Sequence, residues 1–327
     1  PEVELGEFLT DHVGFANAPA LLGSVALIDA DGTETTLAVL HVLVRNQGDG
    51  WTFTLGYLDR FLEESRVVPA TDATTPNLHT IYRPFVESLA LRTAVLLFFV
   101  YLEQGPADFV AEQAGPAMVE TWAAAIADMT ADRLQSLNRM LPELGEDVAA
   151  LVPDLLDRKD ALSAYVRGLG SGVGVMISRH HGDYHLGQVL VAQNDVYIVD
   201  FEGAPQIPLT ERRRKHSVIR DVASMLRSFD YAAWTALDRV TANQPDRRNE
   251  LQSAAVQWRD DASGTFLDIY AKAMAGCPLW PADQAIAERI LTLFLIEKAL
   301  LEIQYELSNR PSWVAVPLRG LLALLQS

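Results

Sequence analysis

Asp183, Gln188 and Asp200 are the residues of this chain whose types and spacing could do chemistry. They sit in His181-Gly-Asp-Tyr-His-Leu-Gly-Gln188 and in Asp200-Phe-Glu202, with Asp183 five residues before Gln188 and Gln188 twelve before Asp200. Between the two segments, apolar Val189-Leu-Val-Ala192, turn-forming Gln193-Asn-Asp195 and apolar Val196-Tyr-Ile-Val199 predict a β-hairpin. A hairpin folds the chain back, so Asp200 returns to the neighbourhood of Gln188 and Asp183. Moving a phosphoryl group from a nucleotide to a hydroxyl needs one carboxylate to orient that hydroxyl and accept its proton, and hard oxygen ligands for magnesium. Asp183 suits the first task, and Gln188 with Asp200 the second.

Protein kinases use a similar arrangement, His-Arg-Asp, four residues, Asn, then Asp-Phe-Gly. Here Gln188 stands for the Asn, offering the same amide oxygen on a longer stem, and Glu202 stands for the Gly. Either fragment alone is weak: HxDxH-like clusters also serve as metal-hydrolase ligands, and Asp-Phe is a common strand end. Together, with a hairpin between them, they favour the phosphotransfer reading. His180, His181 and His185 lack a helical His-x3-His or a nearby Cys, and so read as hydrogen-bonded loop residues rather than zinc ligands.

The bulk properties fit a soluble enzyme. With 327 residues, 49% hydrophobic and 21% charged, the chain has ample core and is long enough for a two-lobed unit. A net charge of −17 argues against a nucleic-acid partner, which would need a basic face. The one basic run, Arg212-Arg-Arg-Lys215, reads as a solvated turn, although it could help hold a phosphate. Cys277 is the only cysteine, so no intrachain disulfide can form and a reducing cytoplasm is expected. No apolar run approaches twenty residues, which predicts no membrane span, and no signal peptide opens the sequence. The first residue, Pro1, suggests that the chain begins inside a longer protein.

The elements that must position the site follow. Pro1 to Thr10 carries helix-start signals, and Pro19–Ile28 and Thr36–Val44 read as strands around the turn Asp29-Ala-Asp-Gly32. Asn46-Gln-Gly-Asp-Gly-Trp51 crosses into a helical region from Thr54 to Gly168, punctuated at Pro69–Pro76, Gly105-Pro106, Gly115-Pro116 and Pro142–Gly145. Asp154–Arg167 reads as one helix stopping at Gly168. The glycines 168, 170, 172 and 174 follow a helix and precede the strand Val175-Met-Ile-Ser178, the reverse of a dinucleotide loop, and so read as a flexible connector. Val222, Met225, Leu226 and Phe229 lie at helical spacing in Arg220–Tyr231, where Asp221 either caps the helix or reaches back to hold the Asp183 loop. A last long helix, Ala285–Ser308, aligns Lys298, Glu302, Tyr305, Glu306 and Asn309 on one side. By itself that stripe reads as a solvated, salt-bridged face; beside Arg310 and Trp313 it has the polar groups and the aromatic face that a sugar site needs.

Taken together, the chain resembles the actinobacterial-type maltokinases, especially the kinase domain of trehalose synthase/maltokinase fusions. The resemblance rests on Arg179-His-His-Gly-Asp-Tyr-His-Leu-Gly-Gln-Val-Leu190, Asp200-Phe-Glu-Gly203, Pro208-Leu-Thr-Glu-Arg-Arg213, Arg220–Ala233, Glu297-Lys-Ala-Leu to Pro317-Leu-Arg-Gly320, and Asn46–Trp51, and runs from near Pro1 to the end. It implies transfer of phosphate from ATP, with Mg2+, to the anomeric hydroxyl of maltose. It also implies an α+β, protein-kinase-like bilobal fold similar to aminoglycoside phosphotransferases. The N-lobe would be incomplete (residues 1–50, the remainder of a β-rich lobe and hinge), and residues 51–327 would form a mostly helical C-lobe.

Carried over residue by residue, Asp183 matches the catalytic acid and Gln188 and Asp200 the metal ligands. His181 and Asp221 match supports of the catalytic loop, and Val42 and Val44 a nucleotide contact. His185, Glu302, Tyr305, Glu306, Arg310 and Trp313 match the sugar site. In that family a capping subdomain and the strands with the phosphate-covering loop and its lysine precede the position of Pro1. Glu2, Glu4 or Glu7 would be the carboxylate pairing with that lysine. Alternatives are phosphorylation of glucosamine or an aminoglycoside on the same fold, and a non-catalytic kinase-like domain that binds trehalose synthase.

Overall fold

The computed structural model describes residues 1–65, 80–101 and 106–324, so the expected punctuation at Pro69–Pro76 lies outside the described residues. The chain opens with α1 (Glu2–Glu7), which widens into a π turn at Phe8–His12. Leu5, Phe8 and Leu9 are buried there, and Phe8 stacks on Phe109 with ring centroids 3.9 Å apart. Next comes an antiparallel ribbon, β1 (Leu21–Ile28) and β2 (Glu34–His41), turned at Gly32 with φ +86°. That sign of φ suits glycine because it has no Cβ to clash. Among the described residues this ribbon is a two-stranded sheet, and it leaves Leu22, Val25, Ile28, Leu37 and Leu40 exposed.

The crossing segment is tied down rather than free. Gln47 N–H donates to Val191 O and Val191 N–H to Gly48 O, which fastens the segment to β5 (Val189–Ala192). Asp49 then caps α2 (Gly50–Glu64), its carboxylate accepting from Thr52 N–H at 2.7 Å. The rest is mainly helical: α3 (Arg83–Phe99), α4 (Pro116–Met140), the short α5 (Glu146–Ala149) and α6 (Val152–Asp157), and α7 (Lys159–Gly170). After these follow the short α8 (Leu209–Arg212), then α9 (Ile219–Thr241), α10 (Arg248–Ala273), α11 (Gln284–Asn309) and α12 (Ala315–Leu324).

Helix α9 is the centre. It is buried along most of its length and packs on α2, α10, α11 and α12. Trp258 and Phe266 from α10 meet Phe229 edge-on and Tyr82 packs on Trp258, so aromatic rings fill the space between these helices.

Three details depart from the sequence reading. The region from Thr54 to Gly168 is not wholly helical, because β3 (Glu112–Ala114) interrupts it to pair antiparallel with β4 (Val175–Ile177). The helix expected over Asp154–Arg167 is two helices, divided at Arg158, where ψ opens to +4°. Only Gly172 and Gly174 of the glycine run lie in the connector: Gly168 and Gly170 belong to α7, and a Cβ on Gly170 would lie 2.7 Å from that of Ala123 and 3.0 Å from Val119 O on α4. Only glycine lets the two helices approach so closely. Gly170→Val should therefore cost at least about 2 kcal/mol through overpacking, read as a lower midpoint in urea denaturation at unchanged m-value.

Candidate active site

Strand β4 delivers the chain into a loop whose backbone is gripped from below. Ser178 exchanges two backbone hydrogen bonds with His216. Arg179 is buried, with its guanidinium over the Phe109 ring and ion-paired to Glu4. The Asp221 carboxylate, 2% exposed at the start of α9, accepts from His181 N–H at 2.7 Å and from Gly182 N–H at 3.0 Å. No side chain caps α9, so of the two roles open to Asp221 the structure shows the hold on the loop. Gly182 turns the chain at φ +82°, a conformation favouring glycine. His181 donates from Nε2 to Val199 O at 3.0 Å, leaving Nδ1 to accept from Asp183 N–H at 3.4 Å, and its ring lies between Tyr184 and Phe201.

These contacts aim Asp183 into a cavity of about 690 Å³. Its Oδ1 stands 3.7 Å from Lys298 Nζ, and its Oδ2 3.9 Å from His185 Nε2. His185 Nδ1 accepts from Gly187 N–H at 3.0 Å, and burial, opposed by Asp183, lowers its pKa, so the ring is held neutral. Below the loop, Leu186 N–H donates to Ser228 Oγ and the Tyr184 hydroxyl pairs with that of Thr93.

The hairpin forms as the sequence predicts, with β5 paired to β6 (Asp195–Ile198) around Gln193 and Asn194, both at positive φ, the turn that matches strand twist. It returns Asp200 to Gln188: Gln188 Nε2 donates to Asp200 Oδ2 at 2.6 Å. Asp200 itself sits at φ +68°, a strained setting for a residue with a Cβ and one that clusters at functional sites. With the Gln188 amide turned over, its oxygen and the Asp200 carboxylate would supply the one or two protein oxygens that magnesium takes, leaving the other positions to water and phosphates.

Val42 and Val44 lie beyond the end of β2 and line a second cleft of about 350 Å³, bordered also by Glu2, Leu190 and Asp200. Of the three N-terminal glutamates, Glu2 reaches this cleft, with its carboxylate on His41 and beside the Phe201 backbone. Glu4 is committed to Arg179 and Arg213, and Glu7 is exposed.

The α11 stripe is not a solvated face. Glu302, Tyr305, Glu306 and Arg310 line the cavity with Asp183. Glu306, 1% exposed, accepts two hydrogen bonds from Arg310 at 3.0 and 2.6 Å and one from the Tyr231 hydroxyl. Glu302 accepts two from buried Arg227, at 2.9 and 2.7 Å, while Arg227 Nη1 holds Asp230. Burial pushes the Glu302 carboxyl above its ordinary range against the pull of Arg227. A Cβ on Gly320 of α12 would fall 1.9 Å from Arg227 Nη1, so that glycine makes room for the guanidinium.

Trp313 is placed differently from the sequence reading. It stacks under Arg310, ring centroid 4.7 Å from Cζ, and is not part of the cavity lining. The chain turns out of α11 at Arg310, which turns the ring onto the guanidinium. The basic run is structural too: Arg212 donates to Pro205 O and Ile207 O, Arg213 pairs with Glu4, Arg214 with Glu211, and Lys215 with Glu112. Arg227, Ser228 and Tyr231 were not picked out from the sequence as site residues. Their signal was a polar stripe, 224, 227/228 and 231, at helical spacing inside an otherwise buried helix.

No family model matches the chain. It is similar to the glucosamine kinase of Streptacidiphilus jiangxiensis, 30% identical over 192 residues, which is 57% of this chain and 41% of that protein. It is also similar to the glucosamine kinase of Mycolicibacterium smegmatis, 27% identical over 314 residues, covering 95% of this chain and 68% of that one. Among solved structures, a glucosamine kinase in complex with glucosamine, ADP and inorganic phosphate superimposes with a TM-score of 0.75 at 22% identity, over 99% of this chain and 72% of that chain. A second glucosamine kinase crystal form gives 0.74 over 69% of its length. The chain therefore has the mixed α+β, kinase-like fold of these sugar kinases, and spans about two fifths to three quarters of their lengths. Among the described residues no helix is long and apolar enough to cross a membrane.

Two outcomes follow from the loop's setting. Asp221→Ala leaves the buried His181 amide and the partly exposed Gly182 amide without this acceptor and should cost about 2 kcal/mol in chemical denaturation. His180 is half-buried, with its Nδ1 shielded and without a hydrogen-bond partner among the described residues, and desolvation pushes its pKa down to about 4. It is neutral when folded and protonated when unfolded, so its contribution is full above about pH 6.5 and lost as pH falls towards 4, about 3 kcal/mol in all. His180→Gln should flatten the stability curve over that window relative to the wild type.

Proposed function

We propose that this chain is the greater part of an ATP-dependent kinase that phosphorylates a hydroxyl of a sugar, with glucosamine as the acceptor. The observation that carries the reading is that Asp183 lines one cavity with Glu302, Glu306 and Arg310, while His185, 3.9 Å from Asp183, also lies within the field of Asp200, the partner of Gln188. The acceptor follows the relatives, whose names give glucosamine; none of those described supports maltose or a trehalose synthase partner. In this reading residues 1–50 are the remainder of a β-rich small lobe and hinge, and residues 51–327 the helical lobe.

The chemistry is a displacement at phosphorus. Asp183 accepts the proton of the acceptor hydroxyl as the oxygen attacks, and ADP leaves with the electron pair of the broken bond. His181 fixes the backbone from which Asp183 projects. Neutral His185, beside Oδ2, adds no competing positive charge on that side. Magnesium, when bound, would rest on Gln188 and Asp200 and offset phosphate charge. Val42 and Val44 would face the nucleotide base, and Glu2 would be the carboxylate that pairs with a lysine of the small lobe. The paired Glu302–Arg227 and Glu306–Arg310 groups would receive sugar hydroxyl or ammonium groups without first losing a solvation shell.

Incubating the full-length protein with ATP, magnesium and glucosamine, maltose, glucose or kanamycin, and identifying the product by mass spectrometry, tests the proposal. Phosphorylated glucosamine is the expected product; phosphate on maltose alone, or on none of the four, overturns it. Asp183→Asn should lower kcat by about 10³-fold with unchanged thermal unfolding.

A further inference from the structure

The cavity holds three cationic side chains near the acceptor position, and two are committed. Arg220 is paired through two nitrogens with Glu297, and Arg310 through two with Glu306. Lys298 differs. Its Nζ stands 3.7 Å from Asp183 Oδ1, beyond hydrogen-bond range, and among the described residues no carboxylate binds it more closely. It rises from α11 with its side chain half-buried, and its head lines the cavity beside Asp183.

A lysine without a tight partner beside the general base is badly placed to be a stability device, since a loose, part-exposed ion pair contributes little. It is well placed for the charge that develops in phosphoryl transfer, which spreads over the oxygens of the moving group as that group reaches the acceptor hydroxyl. When that hydroxyl takes its place at Asp183, an ammonium within 4 Å of the same carboxylate lies within reach of those oxygens.

We propose that Lys298 is a catalytic residue of the phosphotransfer, its ammonium leaving Asp183 to hydrogen-bond the oxygens of the phosphoryl group in transit. The inference rests on the kinase reading above. In the balanced step the acceptor oxygen forms the new P–O bond, the bond to the ADP oxygen breaks, the hydroxyl proton passes to Asp183, and Lys298 keeps its proton throughout.

In the full-length protein, Lys298→Met should lower kcat with glucosamine about 100-fold while KM for glucosamine changes less than threefold and thermal unfolding is unchanged. Lys298→Arg should recover part of the loss. A Met variant within twofold of wild-type kcat, or one impaired only in KM, overturns the role of Lys298 and leaves the kinase reading intact. If the wild type phosphorylates none of the sugars, the kinase reading fails, and a second measurement still decides on Lys298. Calorimetric binding of inorganic phosphate to the protein with ADP and magnesium should weaken at least tenfold in Lys298→Met. Equal binding by both proteins, or binding by neither, overturns the assignment.

Discussion

The Asp221 carboxylate takes hydrogen bonds from two consecutive amides of the loop above it, and the direction of the side chains that follow depends on that grip. A buried carboxylate needs donors, and a loop that turns through a left-handed glycine needs acceptors for amides that no strand or helix uses. Each solves the other's deficit. Because Asp221 belongs to α9, the orientation of Asp183 is referred to the most deeply buried helix of the molecule rather than to a surface loop. The same helix sends Ser228 to Leu186 N–H, Arg227 to Glu302 and Tyr231 to Glu306. One rigid element thus fixes both the reacting end of the cavity and the end that would receive the acceptor.

Charge inside the cavity is arranged in pairs although the chain as a whole is strongly acidic. Arginine forks onto both carboxylate oxygens set the geometry of Glu297 and Glu306, and two Arg227 nitrogens meet Glu302 at its Oε2; such contacts fix direction as well as charge. The α11 side of the cavity therefore presents oriented oxygens that are already compensated. Asp183, by contrast, has no cationic partner closer than 3.7 Å among the described residues. The difference between the two is one of pairing, not of residue type.

Much of this was legible in the sequence where the signal was local. The Gln193-Asn194 turn between two apolar runs announced the hairpin, and with it the meeting of Gln188 and Asp200. The helical spacing from Ala285 and the stop at Asn309-Arg-Pro311 bounded α11 to within a residue at each end, and the structure adds the cap at Asp283. What sequence could not show depended on packing between distant segments. Asp221 had two equally plausible roles until the loop was seen above it. Trp313 belonged to the right cluster, but its ring covers Arg310 instead of the cavity, because the chain direction after α11 is set by tertiary contacts. The β3–β4 pairing joins residues some sixty positions apart, and a three-residue strand has too short a period to stand out from helix. Gly170 of α7 read as slack in the sequence and is a helix–helix contact.

Gly320 has a reach that its place in α12 does not advertise. Any side chain there would meet the guanidinium of Arg227, so the arginine head would have to shift. Its two contacts with the Glu302 oxygen would shift with it, and the carboxylate would lose its nearest counter-ion. A single hydrogen atom on α12 thereby sets how much uncompensated negative charge α11 shows to the cavity.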